Sequence, residues 1–264
     1  MTRRRPEVLI SNDDGIKSPG IQLLAKAISR FANVTVVAPE KEQSAMGHAL
    51  TLHKPVRLYH YAKKGMADQW AVSGTPADCV FMGIRHLMKK KPDLIVSGVN
   101  RGANLGNDIF YSGTVAAARE GALLGIPAMA TSLMISHDPM EAHGKVYFED
   151  AAQYMAHLAK QVLKNGMPPG CMFNVNYPNL PKNKIKGARA STQGSRYYSN
   201  KAARRLDPRG KAYFWLGGQY TGFKAIEGSD CMLIDQGYIS ITPCRLDVTQ
   251  YESLETLSRW KLLP

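Results

Sequence analysis

The sequence predicts an α/β fold built on a mainly parallel sheet, and three features carry that prediction. Short, almost wholly aliphatic runs (Val8-Leu9-Ile10, Val34-Thr35-Val36-Val37 and Leu94-Ile95-Val96) have the character of parallel strands buried on both faces. Residues at helical spacing stand between them, as with Ile21, Leu24, Ile28 and Phe31. Each run ends in a loop of small or polar residues, which is where open α/β sheets receive ligands.

The first strand stops at Ser11-Asn12-Asp13-Asp14-Gly15, and Pro19-Gly20 open the first helix. Adjacent carboxylates stay ionised together only if a cation or hydrogen-bond donors compensate them. A divalent metal taking oxygen ligands is the expected answer. The plainer alternative is that Asp13 and Asp14 cap the helix and begin a turn. Val34–Pro39 closes a βαβ unit. The loop 40–48 behind it lies beside the Asp13/Asp14 loop by the same topological rule, within reach for the Ser44 hydroxyl. In residues 50–73, Leu50–Leu52, Val56–Tyr59 and Gln69–Val72 look antiparallel, with Lys63-Lys64-Gly65 as a turn. This stretch reads as a β excursion, an arm that meets another subunit. Thr75 then caps a helix with Pro76 at its first position. Ala77, Val80, Phe81, Ile84, Leu87 and Met88 form its expected buried face, and Lys89-Lys90-Lys91 suit its C-terminus.

The strand Asp93–Gly98 leads into a loop, 99–108, rich in glycine and asparagine. Glycine admits a close backbone approach to a ligand, and asparagine offers a carbonyl oxygen to a metal and an amide to an anion. Tyr111-Ser112-Gly113-Thr114 open the helix Val115–Leu124, an anion site made of N–H groups and hydroxyls. An ordinary capped helix is the alternative. The phosphate-binding pattern Gly-x-x-x-x-Gly-Lys-Ser/Thr is absent. Pro127–Leu133 is the next strand, Val146–Asn165 a helix ending at Gly166, and Met172–Pro178 a further strand. Past Pro181 the alternation is lost. Tyr213–Leu216 and Tyr238–Pro243 read as strands of an appended region, and Leu246–Leu263 as a terminal helix with Tyr251, Leu254, Leu257 and Trp260 on one face. The expected division is a catalytic core, residues 1–180, and a C-terminal extension, 181–264, that exchanges between subunits.

Composition narrows the function. With 264 residues, 44% of them hydrophobic, the chain forms a real core. Cys79, Cys171, Cys231 and Cys244 are scattered without a Cys-x-x-Cys pair, so a zinc site or disulfide framework is not expected and a reducing cytoplasm fits. The basic start meets Asp13 before an apolar stretch of signal-peptide length develops, and nothing approaches a membrane span. Of the net charge of +13, much is local: between Lys182 and Lys211 lie ten Lys or Arg against the single acid Asp207, with Tyr197 and Tyr198 interleaved. That run reads either as a solvated basic loop or as a single-strand nucleic-acid surface.

Ser11-Asn12-Asp13-Asp14-Gly15, Ser73-Gly74-Thr75-Pro76-Ala77-Asp78, Ser97-Gly98-Val99-Asn100 with Asn104 and Asn107-Asp108, Tyr111–Ala117 and Ile239–Pro243 together resemble the SurE (stationary-phase survival protein) nucleotidases. The blocks fall in family order across nearly the whole chain. The resemblance implies a Rossmann-like three-layer α/β/α core, a C-terminal oligomerisation part, and a metal-dependent phosphomonoesterase acting on nucleoside 5′-monophosphates and, as a further candidate, 3′-monophosphates. It implies one Mg²⁺ or Mn²⁺ per subunit on Asp13, Asp14, Ser44 and Asn100, and a phosphate pocket at Asn104, Ser112, Gly113 and Thr114 with Asn12 close by. On this reading Asp13 or Asp14 is expected to take the proton of the attacking water, and a homodimer or homotetramer is the expected assembly. Many members carry Gly after the loop serine, where this chain has Ala45. The alternatives are a phosphatase whose physiological substrate is polyphosphate or short RNA, and a nucleic-acid-binding module using the basic 182–211 stretch. Covalent-aspartate phosphatases need Asp-x-Asp, and receiver domains need an acceptor aspartate where Asn100 stands. Neither pattern is met.

Overall fold

The computed structural model describes residues 4–61, 67–135, 144–199, 202–216 and 218–262. Strand β1 (Glu7–Ser11), helix α1 (Pro19–Ile28) and strand β2 (Asn33–Pro39) make the first βαβ unit. Then come β3 (Leu58–His60), β4 (Asp68–Val72), α2 (Pro76–Met82), β5 (Leu94–Arg101), α3 (Gly113–Leu123), β6 (Ala128–Met134), α4 (Phe148–Asn165) and β7 (Cys171–Pro178). The last third holds β8 (Ala188–Ala190), β9 (Arg196–Tyr198), β10 (Ala202–Leu206), β11 (Ala212–Leu216), β12 (Tyr220–Phe223), α5 (Asp230–Asp235), β13 (Ile239–Arg245) and α6 (Leu254–Ser258).

Among the described residues, nine strands form one sheet in the order β3-β4-β2-β1-β5-β6-β7-β13-β8. From β4 to β7 neighbouring strands run parallel, while β3 and β13 are antiparallel to β4 and β7. The chain builds outward from β1 through β2 to β4, then crosses to the other side of β1 as β5. The order reverses between β1 and β5, and the crevice at their carboxyl ends is where such a sheet takes a ligand. Side chains alternate across the sheet. Val8 and Ile10 face α1 and α4 with Leu24, Val96 and Met155. Leu9 faces α2 and α3 with Val37, Ile95 and Val115. Both faces are covered, which is why the strands read as unbroken aliphatic runs. Each such fully buried Leu or Ile contributes roughly 1.5–3 kcal/mol. Helix α3 lies so close that a Cβ on Gly121 would stand 2.2 Å from Ile95 Cδ1, which explains its small residues.

Several elements differ from the sequence expectation. Leu50–Leu52 forms no strand, and β4 pairs in parallel with β2, Thr35 opposite Asp68 through Pro39 opposite Val72. β3 and β4 are therefore the edge of the central sheet rather than an arm leaving it; the expected turn at Lys63-Lys64-Gly65 lies outside the described residues. Phe81 faces solvent, and Cys79 is buried with Ala77 and Val80 instead. Gly83–Leu87 form a π turn, whose extra residue shifts the apolar face, so one helical period does not serve the whole stretch. Strands β13 and β8 join the central sheet, so a division at residue 180 cuts through it. The terminal helix is only α6; Tyr251, Leu254, Leu257 and Trp260 are all exposed, and Leu263 lies outside the described residues. A helix gains most of its stability by burying its apolar face, and no described residue covers this one.

Candidate active site

The loop after β1 is shaped from within. Gly15, at φ +93°, turns the chain, and the Asn12 amide donates to the Gly15 carbonyl at 3.0 Å and to Ser18 Oγ at 2.8 Å. With both side-chain N–H groups engaged there, the Asn12 amide holds the turn. Asp13 is buried and Asp14 half-buried at the switch point. Arg101 N–H, at the end of β5, donates to Asp14 Oδ2 at 3.1 Å, which ties the two strand ends together.

The start of α3 closes over Asp13. Ser112 caps the helix by accepting from Val115 N–H at 3.1 Å, and the Thr114 hydroxyl donates to Asp13 Oδ1. Gly113 has no room for a side chain, because a Cβ would lie 2.8 Å from Asp13 Cβ and 3.0 Å from Pro76 Cγ. Burial pushes the Asp13 carboxyl above its ordinary range, against the opposing pull of the Thr114 hydrogen bonds. Asp14 is pushed up to about 6, first by burial and then by the Asp13 charge. Among the described residues no Lys, Arg or His forms an ion pair with either. Thr114 thus serves Asp13 with its hydroxyl.

Asn100 lies on β5 beyond an irregularity in its pairing with β6 between Ser97 and Asn100. Gly98 makes that irregularity possible at φ +124°, where a Cβ would be 2.1 Å from Thr131 O. The Asn100 amide donates to Gly102 O at 2.8 Å, which turns its Oδ1 the other way. Ser44 lies on the loop after β2, brought alongside by Gln43 N–H donating to Asp13 O at 2.8 Å; its hydroxyl donates to Glu42 Oε1 at 2.7 Å. Ala45, next to it, is the only described non-glycine residue at positive φ, +58°. Asn104 is buried: its N–H donates to Asn176 Oδ1, its carbonyl accepts from Asn174 and Asn176, and its amide donates to Ser132 Oγ at 2.8 Å. One amide hydrogen remains to it. A groove of about 340 Å³ lined by Gln43, Met46, Leu50, Leu52, His53 and Thr75 opens beside the site.

No three His, Cys, Asp or Glu gather among the described residues as a metal cluster. The donors here are instead two carboxylates with neutral oxygens, an all-oxygen set that suits a hard cation. Adjacent, partly desolvated carboxylates whose charges oppose one another are the feature such a cation relieves.

The family model for survival protein SurE matches residues 8–200. The chain belongs to the SurE family. That span contains Asp13, Asp14, Ser44, Asn100, Asn104 and Ser112–Thr114. The chain is 46% identical over 256 residues to 5′-nucleotidase SurE of Geotalea daltonii, covering 97% of this chain and 99% of that protein. It is 48% identical over 255 residues to 5′-nucleotidase SurE of Geobacter sulfurreducens, covering 97% and 94%. The crystal structure of the SurE protein from Aquifex aeolicus superposes with a TM-score of 0.81 at 41% identity, covering 96% of this chain and 98% of that one. The α/β fold is that of the SurE family.

Three charged residues near the site escaped the sequence reading. Glu42 is the partner of Ser44 and raises the pKa of both aspartates. Nothing in its local sequence separates it from Glu40. Glu120, two turns along α3, pairs with His48 at 2.9 Å. Asp78 does leave a signal, because Thr75-x-x-Asp78 is the spacing of a capping box.

Proposed function

We infer that this chain is a divalent-metal-dependent phosphomonoesterase that hydrolyses nucleoside monophosphates to nucleoside and phosphate, a 5′-nucleotidase. The observation that carries the reading is the pair Asp13–Asp14, desolvated and in no salt bridge among the described residues, at the β1/β5 crevice and facing the start of α3. Near-full-length relatives named 5′-nucleotidase SurE support it.

We assign one cation per subunit, Mg²⁺ or Mn²⁺, to Asp13, Asp14, Ser44 and Asn100. When bound there it supplies Lewis acidity to a phosphoryl oxygen and to water. The residues do the rest. Thr114 fixes the Asp13 carboxylate, and Arg101 N–H fixes Asp14. The Gly113 N–H, the Ser112 hydroxyl and the remaining Asn104 amide hydrogen are the donors for the phosphoryl oxygens, whose charge rises in the transition state. Of the two aspartates, Asp14 reaches solvent, so its free Oδ1 is the atom to take the proton of a water attacking phosphorus in line. The groove past Met46, Leu50 and Leu52 offers apolar surface to the nucleoside.

A second copy of the chain is the partner that the exposed apolar residues Leu254, Leu257 and Trp260 of the extension fit, giving a homodimer or homotetramer. The four free thiols suit the cytoplasm, and no helix among the described residues is long and apolar enough to cross a membrane. The basic 182–211 stretch loses part of its appeal as a nucleic-acid surface. Arg196 is buried against Asp108 at 2.6 Å, and the Tyr198 hydroxyl donates to the same carboxylate; Lys201 lies outside the described residues. Ranking kcat/KM over nucleoside 5′- and 3′-monophosphates, polyphosphate and short RNA tests the substrate class. The highest value belongs to a nucleoside monophosphate, and a chain substrate preferred over every monophosphate would overturn the reading.

A further inference from the structure

We propose that Asp78 is a positioning residue of the metal site, holding the loop after β2 so that the Ser44 hydroxyl meets the cation. The proposal rests on the assignment of Ser44 as a ligand. Asp78 is the third residue of α2 and is buried. Its Oδ2 accepts from Thr75 N–H at 2.8 Å and from the Thr51 hydroxyl at 2.5 Å, and its Oδ1 accepts from Thr51 N–H at 2.9 Å. Thr75 Oγ1 in turn accepts from Asp78 N–H at 3.1 Å and donates to Ala49 O at 2.7 Å. A capping box ordinarily satisfies only the end of its own helix. This one also grips a segment more than twenty residues earlier in the chain.

The same segment is held from α3. Gly47 N–H donates to Tyr111 O at 2.9 Å, just before the helix, and His48 Nε2 meets Glu120 Oε2 at 2.9 Å. Residues 47–51 are therefore fastened to both helices that frame the site. On the other side, Gln43 N–H is fastened to Asp13 O. Ser44, Ala45 and Met46 bridge these two fixed points and are exposed. A bridge this short leaves few backbone paths, and the ligand's place is set by its anchors. Without the grip of Asp78, the segment behind Ser44 keeps the Thr75–Ala49 bond and the α3 contacts but loses its hold at Thr51, and more of the loop must be ordered when the cation binds.

Three donors converge on the two Asp78 oxygens, and an asparagine there has one acceptor oxygen to offer them. The test is Mn²⁺ affinity of the full chain, measured by electron paramagnetic resonance of the free ion, with Mn²⁺ alone as the probe. Asp78→Asn weakens Mn²⁺ binding roughly tenfold or more, the usual size for the partners that orient a metal ligand. Thr51→Val, which leaves the Thr75–Asp78 cap intact, weakens it roughly three- to tenfold, and saturating Mn²⁺ restores its kcat. The double variant binds no more weakly than Asp78→Asn. Val175→Ala, a core change remote from the site, lowers Tm but leaves affinity alone. Wild-type affinity in Asp78→Asn and Thr51→Val, with weakened binding in Ser44→Ala, would overturn the proposal and leave the ligand assignment standing. Wild-type affinity in Ser44→Ala would overturn both.

Discussion

Removing the cation should make the protein pay for its paired aspartates in a way that pH reveals. Asp14 has a folded-state pKa near 6 against an ordinary 3.8, so the fold favours its protonated form. In the unfolded chain it ionises earlier. As pH rises from about 4 to about 6, the unfolded state therefore holds fewer protons than the folded one, and the metal-free protein loses stability. At ~1.36 kcal/mol per pH unit, the displacement from 3.8 to about 6 amounts to on the order of 3 kcal/mol at neutral pH. Asp14→Asn removes the ionisation at nearly constant shape. Urea unfolding of chelator-treated wild type and variant between pH 4 and 7 isolates the effect as a difference, because other titrating groups are common to both. The metal-free variant is the more stable at pH 7, by up to about 3 kcal/mol, and the gap closes toward pH 4. Mn²⁺ at a hundred times its Kd returns about 2.7 kcal/mol to the wild type and much less to the variant. A metal-free wild type that matches the variant at pH 7, or that gains on it as pH rises, would refute the reasoning.

Other changes probe the surrounding shell. Gly113→Ala puts a methyl 2.8 Å from Asp13 Cβ, and kcat/KM should fall by roughly a hundredfold while circular dichroism still reports a folded chain. Unchanged kinetics would mean that Asp13 tolerates displacement. Ala45→Gly removes a left-handed conformation costing about 1–2 kcal/mol against a glycine entropy penalty of about 0.5–1 kcal/mol. A rise in Tm of roughly 2 °C by scanning calorimetry is expected, and a fall would count against the loop geometry. Glu42→Gln removes the like charge facing Asp13 and Asp14 and leaves the Ser44 hydroxyl a neutral acceptor in place of a charged one. The metal-free protein should become more stable at pH 7 and bind Mn²⁺ several-fold more weakly, two opposite shifts that calorimetry and titration read separately.

The sheet's centre and the placement of much of the candidate site were legible because both depend on local sequence. Val8-Leu9-Ile10 and Leu94-Ile95-Val96 announce buried parallel strands, and the loop behind each strand must lie at the sheet's carboxyl edge. The structure brings the residues expected there, Asp13, Asp14, Asn100 and the start of α3, to that edge. The features that stayed hidden depend on partners far along the chain. Nothing near Ile239–Arg245 says that it pairs with β7, and nothing near Asp68–Val72 says that it pairs in parallel with β2. Likewise the hold of Thr114 on Asp13 and of Asp78 on Thr51 joins segments whose spacing carries no period. Leu254, Leu257 and Trp260 keep a helical spacing, but the surface that would reward a longer helix is not present within the described chain.

The most direct test is phosphate release from a nucleoside 5′-monophosphate by wild type and Asp14→Asn, each with Mn²⁺, with Mg²⁺ and with chelator. The account predicts wild-type turnover with metal, none with chelator, and a loss of most activity in the variant under every condition. Turnover that survives chelation, or that Asp14→Asn retains at the wild-type rate, would contradict it.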